Sequence, residues 1–238
     1  MLASITPTTK TTLIRLGAVL AVYLALVFLA GRFGRAIVWP VNIFVTTLHE
    51  LGHALGGLIT GGKVEHVQVN ADGSGQASIL GGNIPIILMG GYIGSAVFGN
   101  ILFYIGVRAG TLARSTLFII GLFFIFSAFI WYAHIFSSLV QIFMGALLIG
   151  FAVKKWIMRE ILMFLGLASL MYIIQDFNGG PTSDLATYTR RMGFFSFNIW
   201  MLIWLGIVLA MTYFNIRLII RKDKAPKPKE TKPPKPVA

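Results

Sequence analysis

Two histidines four residues apart, with a glutamate beside the first, lie in the apolar stretch "FVTTLHELGHALGGLITGG", residues 44–62. The pattern His49-Glu50-Leu51-Gly52-His53 is an H-E-x-x-H. On a helix, positions i and i+4 share a face, so both imidazoles can reach a single metal ion. Glu50 stands about 100° round the helix from His49. From there it can take a proton from a water that the metal activates. Zinc suits the pattern, because a catalytic zinc takes three protein ligands and leaves its fourth position open. A cation also accounts for the setting: an ionisable group at mid-bilayer costs roughly 2.5–3.5 kcal/mol, and metal binding offsets that cost.

A third ligand must come from elsewhere in the chain. Glu65, His66 and Asp72 read as hairpin or turn residues, Glu160 as a solvated helix cap and His134 as an interfacial side chain. The remaining candidates, Asp176 and Asp184, lie in "YIIQDFNGGPTSDLATYT". This stretch breaks a helix at Gly179-Gly180-Pro181 and starts another at Ser183-Asp184. Broken backbone survives at membrane depth only where it lines protein or a watery cavity, which makes the stretch site-forming on independent grounds.

The elements that must position these groups read as an all-α polytopic membrane protein. Of 238 residues, 56% are hydrophobic and only 12% charged, with a mean hydropathy of +0.80; a soluble domain carries about 25% charged residues. Apolar runs at 13–31, 36–60, 83–107, 115–133, 135–153, 160–175 and 196–220 predict six to seven transmembrane helices. The sixth is short, and a broken helix lies near 176–186. Between the second and third, "GGKVEHVQVNADGSGQASILGGN" reads as a short β-hairpin turning at Asp72-Gly73. No internal repeat supports an inverted-repeat transporter. With no cysteine, thiolate ligands, cysteine nucleophiles and disulfides are excluded.

The formal charge of +12 does not point to nucleic acid. Seven of the twenty Lys and Arg follow residue 220, and most others flank apolar runs, which is a topology and anionic-lipid signal. The Pro/Lys-rich segment 221–238 reads as a disordered tail on anionic lipid, leaving 1–220 as one domain. Counting Lys and Arg in the loops puts the C-terminus in the cytoplasm of a multi-pass cell-membrane protein, with Arg190 and Arg191 dissenting. That topology sets His49 in the half of the bilayer away from the cytoplasm.

In the third span, Gly90, Gly91, Gly94, Ser95 and Gly99 read either as a helix-packing stripe or as backbone approaching the motif helix or substrate. Asn100 reads as polar glue between helices. Phe118 to Trp131 and Trp200 to Trp204 read as lipid-facing or interfacial packing.

"HELGHA" within an apolar span resembles the site-2 protease family of intramembrane zinc metalloproteases, closest to a compact branch without a PDZ domain. That family carries a later N-x-x-P followed by Asp-Gly, and Asn178, Pro181 and Asp184 match at Asn, Pro and Asp, with Leu185 in place of the Gly. The resemblance implies Asp184 as third zinc ligand and Asn178 as a hydrogen-bonding aid near the water or the substrate carbonyl. It also implies a membrane-protein substrate, held by an edge strand for which residues 64–79 are a counterpart, and a site that is often nearer the cytoplasm. Two rival readings are a non-catalytic metal-binding membrane protein (a chaperone-like binder or a divalent-metal permease) and a lipid-active hydrolase.

Overall fold

The computed structural model describes residues 31–108, 110–154, 157–176 and 183–223, with scattered positions between 14 and 25. Seven helices and one hairpin occupy them in the order α1 (Gly31–Ile59), β1 (Lys63–Val69), β2 (Gly75–Leu80), α2 (Ile84–Arg108), α3 (Gly110–Ile130), α4 (Ile135–Lys154), α5 (Met158–Asp176), α6 (Asp184–Met192) and α7 (Phe197–Asp223). Among the described residues four helical segments are long and apolar enough to cross a membrane: Ile84–Arg108, Thr111–Ile130, Ile135–Lys154 and Phe197–Ile219. The expected first span, 13–31, and the tail beyond residue 223 lie outside the continuously described residues.

Reciprocal glycine pairs set how the helices meet. Gly52 of α1 faces Gly90 of α2, Gly99 of α2 faces Gly166 of α5, and Gly121 of α3 faces Gly145 of α4. In each pair a methyl group on either residue would strike the carbonyl oxygen of the other. Lipid chains are as apolar as leucine, so close backbone approach and dispersion, rather than hydrophobic burial, drive such contacts. The small-residue stripe of the third span is thus packing surface on two faces of α2, towards α1 and towards α5. Asn100 adds the expected polar tie, accepting from Asn215 Nδ2 of α7 at 3.0 Å through its Oδ1.

The hairpin is antiparallel, with Val67 opposite Ala77 and Val69 opposite Gly75. Its register slips between Val64 and His66, which makes Glu65 a bulge. Plain alternation would place Val64 on one face and Val67 and Val69 on the other; the bulge turns all three inward, and all three are buried. The hairpin folds back along α1. Trp39 Nε1 donates to the Ala71 carbonyl at 2.7 Å, and the Thr46 hydroxyl donates to the Gly73 carbonyl at 2.7 Å. The outer edge of β1 is occupied: the Val67 N–H donates to the Trp131 carbonyl at 3.0 Å and the Val69 N–H to Ser137 Oγ at 2.9 Å.

The aromatic stretches divide. Phe118, Phe126 and Phe129 of α3 are exposed as expected, whereas Phe124 is fully buried and stacks on Phe44. For Trp200 and Trp204 the lipid-facing expectation is corrected, since they are 8% and 0% exposed. They pack with Tyr92, Leu185 and Tyr188, because the short α6 turns back beneath α7 and needs an apolar floor.

Candidate metal centre and active site

His49 and His53 lie on the buried face of α1, one turn apart, with Leu48, Leu51 and Ala54 anchoring the same turns in the core. Their Nε2 atoms are 3.0 Å apart. Asp184 comes from the first turn of α6, where Ser183 is the N-cap and accepts from the Ala186 N–H. Leu185 is 1% exposed and seats that helix in the Tyr92–Trp204 cluster. Asp184 Oδ2 lies 3.0 Å from His49 Nε2 and 2.9 Å from His53 Nε2.

The donor chemistry of this triangle suits a metal ion. His53 Nδ1 lies 2.6 Å from the Ile87 carbonyl. A carbonyl only accepts, so Nδ1 carries the proton and donates it. The neutral ring then presents a lone pair from Nε2 to the carboxylate oxygen of Asp184. Two acceptors 2.9 Å apart repel unless a proton or a metal ion sits with them. Two imidazole nitrogens and a carboxylate oxygen form a zinc-type ligand set, and the hydrogen bond to Ile87 is the usual way of fixing a ligating histidine's tautomer and ring plane. Among the described residues, His49, His53 and Asp184 are the group able to hold a metal ion.

Space for the rings comes from Gly91, where a methyl group would collide with His53 Nε2 and stand 2.6 Å from His49 Cε1. The rings of Tyr92 and Tyr172 meet His49 edge-on, with centroids 5.1 and 5.7 Å away. Beside the triangle is a cavity of 550 Å³, bordered by Glu50, Tyr172, Ser183 and the β2 end of the hairpin, Ser74 to Ala77. Glu50 lines it directly, and its carboxylate accepts from the Ala77 N–H. Gly75 lies against the same side chain. Thr46, one turn before Glu50, is hydrogen-bonded to Tyr172, which ties α5, α1 and the hairpin turn together. At that turn the N–H and hydroxyl of Ser74 both donate to Asp72, holding its carboxyl below the usual range.

The structure therefore brings together His49, Glu50, His53 and Asp184, residues from two separate stretches of sequence. Asp176 is the last residue of α5. Asn178 and Pro181 lie outside the described residues. His134 accepts from the Ser137 N–H at the start of α4, and Glu65 accepts from Ser78, so both serve local structure. Gly75, Tyr172 and the Ile87 carbonyl were not legible in the sequence, whereas Gly91 belongs to the small-residue stripe for which an approach to the motif helix was one of two readings. Thr46 could have been, since it stands one turn before Glu50 on the same helix face.

Neither curated proteins nor solved structures give a significant match to the chain. The Peptidase M50B-like family does: its profile matches residues 18–215, which include the histidine pair, the hairpin and Asp184. The protein belongs to that family, and so to the site-2 proteases.

Proposed function

We propose that the protein is an intramembrane zinc metalloendopeptidase, with His49, His53 and Asp184 holding the ion and Glu50 acting as general base. The observation that carries this reading is the convergence of three ligand atoms at 2.9–3.0 Å beside a cavity lined by a buried glutamate. Zinc, when bound, polarises the scissile carbonyl and makes a water nucleophilic at neutral pH. Glu50 accepts the proton of the attacking water and returns it to the departing amide nitrogen. Asn178 assists by hydrogen bonding near the water or the carbonyl.

The substrate is a membrane-protein segment that has locally unwound, since a carbonyl held in helical hydrogen bonds is not presented for attack. The outer edge of β2 runs along the cavity, and the reading uses it as a template on which the extended segment adds as a strand. Residues 1–220 form the protease domain: α1, α5 and the 13–31 stretch are further spans beyond the four, giving seven. The tail 221–238 lies against anionic lipid in the cytoplasm of a multi-pass cell-membrane protein.

The test is Glu50→Gln. Zinc content persists while cleavage of reporter membrane proteins with a helix-breaking residue in the spanning segment falls by at least about a hundredfold, the lower range of general base catalysis. Cleavage at an unchanged rate would favour the non-catalytic metal-binding reading.

A further inference from the structure

The ladder between β1 and β2 fixes which main-chain groups of β2 point outward. In an antiparallel pair, opposed residues alternate between those that exchange both hydrogen bonds and those that exchange none. Val67 lies opposite Ala77, and Val69 opposite Gly75. The N–H groups of Val67 and Val69 leave the hairpin for the Trp131 carbonyl and Ser137 Oγ, so both pairs are of the non-bonded kind. The N–H and C=O of Gly75 and Ala77 therefore point away from β1, along the edge that borders the cavity.

α1 reaches this side of the hairpin at two points. The Thr46 hydroxyl donates to the Gly73 carbonyl, and one helical turn on, the Glu50 carboxylate accepts from the Ala77 N–H. Gly75 leaves room for that reach, since a methyl group there would stand 2.6 Å from Glu50 Oε1. Ala77 has a single N–H to give. A strand added to the edge needs the same donor for its own carbonyl. The carboxylate and the added strand thus compete for one hydrogen bond.

Resting on the peptidase reading, we infer that Ala77 is a positioning residue whose N–H couples substrate recognition to the base. An extended segment that sets a main-chain carbonyl against Ala77 takes over its N–H, and Glu50 is released into the cavity beside His49 and His53. The strand keeps its bond, because one acceptor replaces another, while the carboxylate regains an oxygen with which to accept from the attacking water. A segment still in helical hydrogen bonds has its carbonyls engaged and cannot make the exchange. Every residue type carries a main-chain carbonyl, so the coupling reads extension of the substrate rather than its side chains.

The test is a double-mutant cycle on zinc-loaded protein that does not hydrolyse. Glu50→Gln keeps a side-chain oxygen to compete for the Ala77 N–H, and Glu50→Ala removes the competitor. Ala77→Pro deletes the N–H at a position where it faces away from β1, the setting in which a strand tolerates proline. Should the ring disturb folding, lactic acid in place of Ala77 puts an ester oxygen where the N–H was. The probe is a dye-labelled peptide of a reporter's spanning segment carrying a helix-breaking residue, its binding followed by fluorescence anisotropy in detergent. Glu50→Ala binds the probe about tenfold more tightly than Glu50→Gln, the scale of one hydrogen bond, and the difference vanishes once the Ala77 N–H is removed. Equal binding by the two Glu50 variants, or a difference that persists without that N–H, overturns the coupling. No hydrolysis enters the cycle, so its failure is distinct from failure of the peptidase reading, which shows as Glu50→Gln cleaving the intact reporter at the wild-type rate.

Discussion

Gly75 of the hairpin and Glu50 of the motif helix are in such close contact that a methyl group on Gly75 would stand 2.6 Å from Glu50 Oε1 and 2.7 Å from its Cγ. The strand that borders the cavity thereby also sets the carboxylate that faces it. Gly75→Ala pushes the carboxylate without touching a metal ligand. Zinc content stays at the wild-type level and kcat on a reporter membrane protein falls by about a hundredfold, the scale of a 1 Å misplacement. Loss of zinc along with activity would show that the strand supports the ligands rather than the base.

Gly91→Ala acts on the other side of the site. Its methyl group would press on both imidazole rings, so His49 and His53 cannot keep their spacing. Zinc affinity, measured by competition with a chelator in detergent, drops about 10–100-fold, as for other changes that disturb ligand orientation. Gly94→Ala, whose methyl would meet only Gly52 Cα at 3.4 Å, leaves affinity within a few-fold.

Asp184 reaches the histidines because Leu185, its neighbour, is buried in the cluster that holds Tyr92, Tyr188 and Trp204. Leu185→Ala costs about 2–5 kcal/mol of stability, and it loosens the first turn of α6. The melting temperature in detergent and the zinc affinity fall together. Leu202→Ala, at a 63% exposed position on α7, changes neither appreciably.

How far these relationships were visible in the sequence follows from their range. The histidine pair and Glu50 are set by helix periodicity, so spacing alone put them on neighbouring turns. The hairpin announced itself through Asp72-Gly73 and the alternation around it, although the Glu65 bulge, which decides which valines face inward, had no local signal. Asp184 could be narrowed only to two candidates from residue type, because closing the triangle depends on where α6 lands, 135 residues from His49. The Trp200–Trp204 expectation failed for the same reason. An apolar aromatic near a helix end looks lipid-facing until a short return helix is packed beneath it. Gly75 was illegible as a site residue, and Gly91 was legible only as one glycine of a stripe with two readings, since a glycine's role there is the room it leaves for a side chain from another element.

One divalent cation shared by His49, His53 and Asp184 is what the proposed peptidase needs. Elemental analysis of detergent-purified protein, with folding checked by thermal unfolding, tests it most directly. Wild type and Glu50→Gln should each carry close to one zinc per chain, and Asp184→Ala should carry almost none. Folded wild type without metal, or Asp184→Ala with a full equivalent still bound, would contradict it.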